Sequence, residues 1–303
     1  MGTPPKRYVR TEDSRRVRAG VGDYIALLKL RIAALLLLVA AAGYLVTSGT
    51  AVQPFSFAIL LVSGLFASAG ASAVNHYVDR DLDGLMARTR NRPIPAGRVP
   101  PSHALVLGFL LVIASTALAV LVNVLTAAFI LLGFVVYVFV YTIGLKRRSV
   151  TNIVIGGFAG SCPALAGSAA ASGVVSLGAI LIALLVFLWT PGHFWALAFR
   201  IRGDYASAGI PMLPAVLDEK ASVKWIVLST ALVPPFALSF WVLQVSGFAY
   251  LAVAIVAGSA ILYLAFRFLK VPSSQNAWAG YRASGVYLAV ILLGLIADRL
   301  LRV

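Results

Sequence analysis

Three oxygen-bearing side chains recur at every fourth position near the end of a long apolar segment. Asn75, Asp79 and Asp83 lie in the stretch AVNHYVDRDLDGLMARTRNRPIPAGR, residues 73–98. On an α-helix this spacing places the three side chains in one line. Two carboxylates aligned in this way repel each other, and their desolvation near a membrane adds to the cost. The pattern therefore indicates a bound cation, and Mg²⁺ fits because it prefers oxygen ligands and completes its shell with waters and substrate phosphate oxygens.

An arginine cluster accompanies this acidic line. Its members are Arg80, Arg88, Arg90, Arg92 and Arg98. Guanidinium groups bind phosphate through two parallel hydrogen bonds, so the combination predicts a diphosphate site at the mouth of a membrane cavity. The alternative is an ordinary charged loop whose acids and bases pair with one another. A solvated loop gives no reason for the acidic line to begin inside an apolar segment.

A second group of candidates lies in the segment YTIGLKRR, residues 141–148. Lys146 and Arg147 suit phosphate, but basic residues beside an apolar segment also set membrane topology. Tyr141 is either a further phosphate ligand or an aromatic anchor at the membrane interface.

The segment FRIRGDYASAGIPMLP, residues 199–214, contributes one acidic candidate. Asp204 could bind a second metal ion, or it could be a loop or helix-capping aspartate. His193, in the preceding segment WTPGHFWALAF, follows Pro191 and Gly192 directly. An imidazole in an apolar, aromatic setting beside a helix break is a functional candidate, although a packed and hydrogen-bonded histidine is common.

Two basic residues, Lys29 and Arg31, lie at the start of the first apolar segment. Either they extend their charges to the lipid headgroups, or they bind an anionic group of a substrate.

The elements that must position these side chains are membrane-spanning helices. The chain is 61% hydrophobic and 12% charged, with a mean hydropathy of +0.95. Soluble domains carry roughly twice this charged fraction. Nine apolar segments are long enough to span a bilayer, which takes roughly 20 residues per helix: 24–47, 55–76, 103–122, 124–144, 151–171, 175–199, 223–245, 247–268 and 284–301. The sequence predicts an all-α, polytopic membrane protein.

The connections between these segments alternate in charge. The connections near 48–54, 123, 172–174 and 246 carry almost no charge. The other connections are basic: the N-terminal tail together with the start of the first segment, and the links at 77–102, 145–150, 200–224 and 267–282. This second set carries every Lys and Arg except Arg299 and Arg302. The positive-inside rule then places the N-terminus in the cytoplasm and the C-terminus outside. We expect residues 1–21 to form a disordered basic tail and residues 22–303 a single transmembrane domain.

The net charge of +15 does not indicate a nucleic-acid partner, because the basic residues form short clusters between apolar segments. Cys162 is the sole cysteine, which excludes an internal disulfide and a cysteine-based metal site. A transporter would spread buried charges along a permeation path, whereas these charges gather at one face of the membrane.

Residues 75–98 resemble the first aspartate-rich motif of the UbiA-type prenyltransferases, N-x-x-x-D-x-x-x-D followed by R-T-x-x-R-P. Three further blocks are similar to the haem-farnesylating (haem O synthase) branch of that superfamily: LLKLRI, YTIGLKRRSVTNIVIGG and WTPGHFWALAFRIRGDYASAGIPMLP. The resemblance covers nearly the whole chain outside the N-terminal tail.

The resemblance implies a helical bundle around a central cavity open to the cytoplasmic side of the cell (inner) membrane. It implies Mg²⁺-assisted transfer of a farnesyl group from farnesyl diphosphate to a vinyl group of haem B, which makes haem O. The expected partners are these substrates, membrane lipid and a haem-processing enzyme. An aromatic quinone precursor is the alternative acceptor, and a membrane transporter is a more distant alternative.

The resemblance also implies roles for individual residues. The roles are metal binding by Asn75, Asp79, Asp83 and Asp204, diphosphate binding by Arg88, Arg92, Lys146, Arg147 and Tyr141, and haem binding by His193, Lys29 and Arg31.

Three positions depart from the pattern of that superfamily. Leu30 replaces the proline of a Lys-Pro-Arg triplet, and Gly192 replaces the second proline of Pro-Pro-His. Both changes affect helix kinks and remove no ligand group. Asp204 stands where many members have two aspartates, which weakens the prediction of a second metal ion.

Overall fold

The computed structural model of the protein describes residues 19–301, and this part of the chain is helical. The predicted tail therefore lies outside the described residues, apart from residues 19–21. The α-helices are α1 (Val21–Leu28), α2 (Leu30–Ser48), α3 (Pro54–Val78), α4 (Arg80–Leu85), α5 (Pro101–Val120), α6 (Val124–Val135), α7 (Asn152–Gly156), α8 (Phe158–Ser172), α9 (Leu177–Arg200), α10 (Arg202–Ser207), α11 (Leu213–Val216), α12 (Glu219–Val242), α13 (Phe248–Lys270) and α14 (Ser274–Leu301).

A π-helical segment, Val136–Leu145, continues α6. Counting α6 with this segment as one span and α7 with α8 as another, nine helices within residues 19–301 are long and apolar enough to cross a membrane. The predicted number of spans and the all-α class are confirmed.

Local sequence signals account for several helix starts. Proline occupies the first turn of α3 and α5, where its missing N–H costs nothing. The side chain of Asn123 accepts a hydrogen bond from the Thr126 N–H at the start of α6, and Asp218 does the same for the Ala221 N–H at the start of α12.

Two predicted boundaries are wrong. The apolar segment 24–47 predicts one helix from residue 24, but the helix breaks at Lys29, whose φ of 46° and ψ of 52° are left-handed. Hydropathy carries no information about such a backbone reversal. The last helix begins at Ser274 rather than residue 284, so most of the predicted basic link at 267–282 is helical.

The spans close into a ring, because each one packs against the next and α14 packs against α2. Small residues let α2 and α8 approach closely. A Cβ on Gly43 would collide with the carbonyl of Ala164, and a Cβ on Gly167 would collide with the carbonyl of Ala40. Close backbone approach at small residues is the usual way in which helices associate in a membrane.

Candidate active site

The line of oxygen-bearing side chains crosses the junction of α3 and α4. Asp79 lies between the two helices, yet its N–H donates to the Asn75 carbonyl at 2.9 Å and its carbonyl accepts from the Asp83 N–H at 2.8 Å. The helical spacing is therefore kept through the junction. Asn75, Asp79 and Asp83 are 3%, 0% and 3% exposed, so none of them belongs to a solvated loop.

Each of these three side chains is bound by a cationic side chain from another part of the chain. The pairs are Lys29 Nζ with Asn75 Oδ1 at 2.9 Å, Lys146 Nζ with Asp79 Oδ2, and Arg92 Nη1 with both carboxylate oxygens of Asp83 at 2.8 Å. Buried charges are tolerated only when they are paired in this way. We call these six residues the paired ladder.

Asn75, Asp79 and Asp83 carry side-chain oxygens of the kind that a divalent ion prefers. Asn75 Nδ2 donates to Asp79 Oδ2 at 2.7 Å, which brings two proposed ligands together. Asp79 Oδ1 is buried and has no hydrogen-bond partner among the described residues. Residues 19–301 contain no group of three His, Cys, Asp or Glu side chains arranged to hold a metal. An ion bound here would need amide, water and substrate oxygens besides the two carboxylates, which suits Mg²⁺.

The π-helical segment positions two of the contacts. Its wider turn is visible at Lys146, whose N–H donates to the carbonyl of Tyr141 five residues earlier at 2.8 Å. Thr142 Oγ1 accepts from Asn75 Nδ2 at 3.2 Å and donates to the carbonyl of Tyr137 at 2.8 Å. π-Helical insertions are frequent at functional sites, and this one directs Thr142 and Lys146 toward the ladder.

The left-handed backbone at Lys29 has a similar effect, because it ends α1 and directs the ammonium group to Asn75. Burial, together with the positive charges of Arg92 and Lys146, lowers the pKa of Lys29 to about 7. The site thus concentrates positive charge, which an anionic ligand would stabilise.

The second acidic candidate contacts the first motif. Asp204 Oδ2 accepts a hydrogen bond from the backbone N–H of Arg88 at 3.2 Å. Burial raises the pKa of the neighbouring Tyr205, while a hydrogen bond with the Arg88 side chain acts in the opposite direction. Tyr141 packs in the same buried cluster as Tyr205. The arrangement brings Arg88, Asp204 and Tyr141 to one region of the molecule.

Two predicted site residues are engaged elsewhere or lie on the surface. Arg147 makes a two-pronged ion pair with Asp81, at 2.7 and 2.8 Å, and donates to the Val78 carbonyl. This ion pair lowers the pKa of Asp81. Arg31 is exposed. Their roles in binding diphosphate and haem remain predictions.

His193 lies in a stack of aromatic rings between α9 and α14. Its ring is 4.1 Å from that of Trp189 and 4.4 Å from that of Tyr281, measured between centroids. Its Nδ1 bonds Ser284 Oγ at 2.6 Å, which fixes the orientation of the ring.

Several residues of the site gave no signal in the sequence. Thr142, Tyr205 and Ser284 resemble ordinary helix and loop residues, and only the folded chain brings them to the candidate groups. Of these three residues, only Tyr205 has a sequence signal that could point to the site, because it follows the candidate Asp204 directly.

Comparison with known proteins places this chain in a family. The UbiA prenyltransferase family matches residues 36–291. A protein of Metallosphaera sedula named protoheme IX farnesyltransferase is 43% identical over 278 residues, which cover 92% of this chain and 96% of that protein. A protein of the same name from Desulforudis audaxviator is 41% identical over 292 residues, covering 94% and 92%.

Solved structures share the fold at low identity. A structure reported for digeranylgeranylglyceryl phosphate synthase in membranes has a TM-score of 0.76 and 18% identity. The match covers 92% of this chain and 98% of that chain. A UbiA homologue from Archaeoglobus fulgidus bound to GPP and Mg²⁺ has a TM-score of 0.66 and 17% identity, covering 91% and 99%. The relatives, the fold and the aspartate-rich motif agree, and the chain belongs to the UbiA prenyltransferase family and is a prenyltransferase.

Proposed function

We propose that the protein transfers a farnesyl group from farnesyl diphosphate to a vinyl group of haem B and thereby makes haem O. The observation that carries the donor half is the buried line of Asn75, Asp79 and Asp83, in which one Asp79 oxygen has no partner among residues 19–301. The names of relatives that are 41–43% identical over nearly the whole chain support the acceptor. The GPP and Mg²⁺ bound by the A. fulgidus homologue support a prenyl diphosphate donor.

The cations of the paired ladder would bind the diphosphate. Within the paired ladder, Arg92 and Lys146 neutralise Asp83 and Asp79, and Lys29 donates to the neutral amide of Asn75. A diphosphate offers these groups stronger acceptors than a single amide or carboxylate oxygen. We propose that the three cations exchange their ladder partners for phosphate oxygens when the donor binds.

Asn75, Asp79 and Asp83 would hold Mg²⁺ once their cationic partners turn to the diphosphate. Bound there, Mg²⁺ supplies charge stabilisation for the leaving diphosphate. Asp204 is proposed as a further metal ligand. Arg88 and Tyr141, which lie in the same region, would bind the diphosphate with Arg147, provided that Arg147 leaves Asp81.

The reaction breaks the allylic C–O bond, the vinyl π bond and one O–H bond of water, and it forms one C–C bond and one C–O bond. The allylic C–O bond ionises and its electron pair leaves with the diphosphate. The vinyl π-electrons of haem B then form the new C–C bond to the farnesyl cation. Water adds to the resulting cation beside the macrocycle and loses one proton, which gives a hydroxyethylfarnesyl group. Apolar surroundings would protect each cation from premature reaction with water.

His193 is proposed to bind haem. Its Nε2 would bind the iron or orient the macrocycle, and the bond from Nδ1 to Ser284 would hold the ring in place. Arg31, near the start of α2, would pair with a haem propionate. Lys29 was also a candidate for this pairing, but its bond to Asn75 favours the diphosphate.

We propose that this multi-pass membrane protein lies in the cell membrane with its N-terminus in the cytoplasm and its C-terminus outside. The distribution of Lys and Arg supports this orientation. The ladder would then open toward the cytoplasmic side, where a soluble diphosphate product could leave. A haem-processing enzyme is the proposed partner for haem O.

Product analysis tests the proposed function. Purified protein would be incubated with farnesyl diphosphate, Mg²⁺ and equal amounts of haem B and 4-hydroxybenzoate, and the products identified by mass spectrometry. In ¹⁸O-labelled water we expect farnesylated haem that carries one ¹⁸O atom, and none when a chelator removes Mg²⁺. Prenylation of the benzoate alone would contradict haem as the acceptor, and the absence of any prenylated product would contradict the reaction.

Spectral titration tests the role of His193. We expect haem B to shift its Soret band on binding to the unchanged protein and to His103→Ala, because His103 lies on the surface bonded to Tyr24. His193→Ala should bind haem about tenfold more weakly, the loss expected for one strong interaction of about 1.4 kcal/mol. An unchanged affinity in this variant would exclude His193 as a haem ligand.

A further inference from the structure

His76 lies next to Asn75 in α3 and takes no part in the mechanism described above. Its side chain is 1% exposed. Both ring nitrogens are buried, and neither has a hydrogen-bond partner among the described residues. A buried polar group without a partner is costly, and most such groups in folded proteins are satisfied. An imidazole left in this state beside a binding site is suited to contact a ligand.

Each of the other two histidines of the chain has one ring nitrogen bonded within the protein. His103 Nδ1 bonds Tyr24 Oη at 2.9 Å, and His193 Nδ1 bonds Ser284 Oγ at 2.6 Å. Among the three histidines, only His76 has no bond from either ring nitrogen within the described residues.

The charges around His76 indicate what kind of ligand it would contact. The positive charges that act on its ring are those of Lys29, Arg92 and Lys146, the three cations of the paired ladder. Positive surroundings repel a metal ion from the ring nitrogens, and Mg²⁺ prefers oxygen in any case. The same surroundings attract an anion, and an imidazole N–H is a good donor to a phosphate oxygen.

We propose that His76 is a further diphosphate-binding residue, whose ring N–H donates a hydrogen bond to a phosphate oxygen of the prenyl diphosphate. This inference rests on the proposed function, because it requires a diphosphate at the paired ladder. It adds a buried imidazole N–H to a site whose other proposed diphosphate ligands, apart from the Tyr141 hydroxyl, are cations and a metal.

Nuclear magnetic resonance of the full-length protein tests the contact directly. The chain has only three histidines, so ¹⁵N-histidine labelling gives a simple spectrum in which His76→Asn identifies the His76 signals. We expect Mg²⁺ with inorganic pyrophosphate to shift the His76 ring signals and leave those of His103 in place. Mg²⁺ alone should not shift them. A shift with Mg²⁺ alone would overturn the proposal in favour of a metal ligand, and no shift at saturating pyrophosphate would overturn it outright.

Pyrophosphate affinity separates hydrogen bonding from packing. His76→Phe fills the site but cannot donate, and we expect it to weaken pyrophosphate binding about tenfold, as for a hydrogen bond to a charged group. His76→Asn and His76→Gln place an amide near Nδ1 and Nε2 respectively, and we expect one of them to restore binding to within about threefold.

The control variant is His103→Asn, which should bind pyrophosphate as the unchanged protein does. If His76→Phe bound as tightly as the unchanged protein, the proposal would be wrong while the proposed function stood. If the unchanged protein failed to bind pyrophosphate with Mg²⁺, the proposed function itself would fail.

Discussion

At the scale of single residues, the paired ladder explains how buried carboxylates exist in a membrane protein before any substrate binds. Asp79 is fully buried, and the side chain of Lys146 is 14% exposed. Removing one partner from such a pair leaves an uncompensated charge and costs about 3–5 kcal/mol. A diphosphate with its metal can replace these internal partners. The pairing therefore stabilises the buried charges until the substrate binds.

Lys146 should therefore matter far more than an exposed basic residue. We expect Lys146→Ala to lower the rate of prenyl transfer by about 100-fold or more, since it removes a charge that stabilises the leaving group. Arg202→Ala is the control, because Arg202 pairs with Glu219 at 3.3 Å on the surface and such pairs contribute about 0–1 kcal/mol. Steady-state rates measure both, and equal rates in the two variants would contradict the assignment of Lys146.

The sequence predicted the acidic line because its spacing is local, within nine residues of a single helical pattern. The cationic side chains that bind its members could not be predicted. Lys29 and Lys146 are 46 and 67 positions from the groups they bind, and their approach depends on a left-handed residue and a π-helical turn. Neither feature has a signature in hydropathy or in residue spacing.

At the scale of helices, the position of α2 depends on its contact with α8. Lys29, which binds the ladder, lies directly before α2, so a displacement of α2 also moves part of the site. Gly43 and Gly167 face carbonyl groups of the opposite helix at distances that leave no room for a Cβ. The apolar segments predicted the helices themselves. They did not predict the α2–α8 contact, because many small residues occur in the chain and the sequence does not show which of them pack against each other.

Adding a methyl group at this contact should separate the helices. We expect Gly43→Ala to destabilise the protein by about 1–3 kcal/mol, because overpacking a tight contact forces the backbone to shift. Gly280→Ala is the matched control within α14, where a Cβ would have no neighbouring atom within 4 Å and alanine favours the helix. Detergent-induced unfolding followed by circular dichroism measures both variants, and a Gly43→Ala variant as stable as Gly280→Ala would contradict the packing argument.

At the scale of the whole molecule, the nine spans within residues 19–301 form a closed ring, and we expect its basic links to share one face. The lengths and positions of the apolar segments predicted the number of spans and their order along the chain, because an apolar segment of this length has few alternatives to spanning a bilayer. The closure of the ring through α14 and α2 was not predictable, since it depends on contacts between the first and last spans.

Cysteine labelling tests the orientation of the ring. Cys162 is buried, so a single introduced cysteine reports with little background. We expect Ser207→Cys, on the basic face, to react with a membrane-impermeant maleimide in inside-out vesicles, and Ala51→Cys, in an uncharged link, to react in right-side-out vesicles. Both positions are exposed. The opposite pattern would place the N-terminus outside.

The central claim is that the ladder binds a divalent ion that in turn holds a diphosphate, and calorimetric titration of pyrophosphate tests it most directly. We expect Mg²⁺ to strengthen pyrophosphate binding to the unchanged protein and to Glu219→Gln, which alters an exposed carboxylate. Asp79→Asn keeps the shape and removes the charge, and it should weaken Mg²⁺-dependent binding by about 100-fold, close to 2.7 kcal/mol. Mg²⁺-dependent binding that is unchanged in Asp79→Asn would contradict the account.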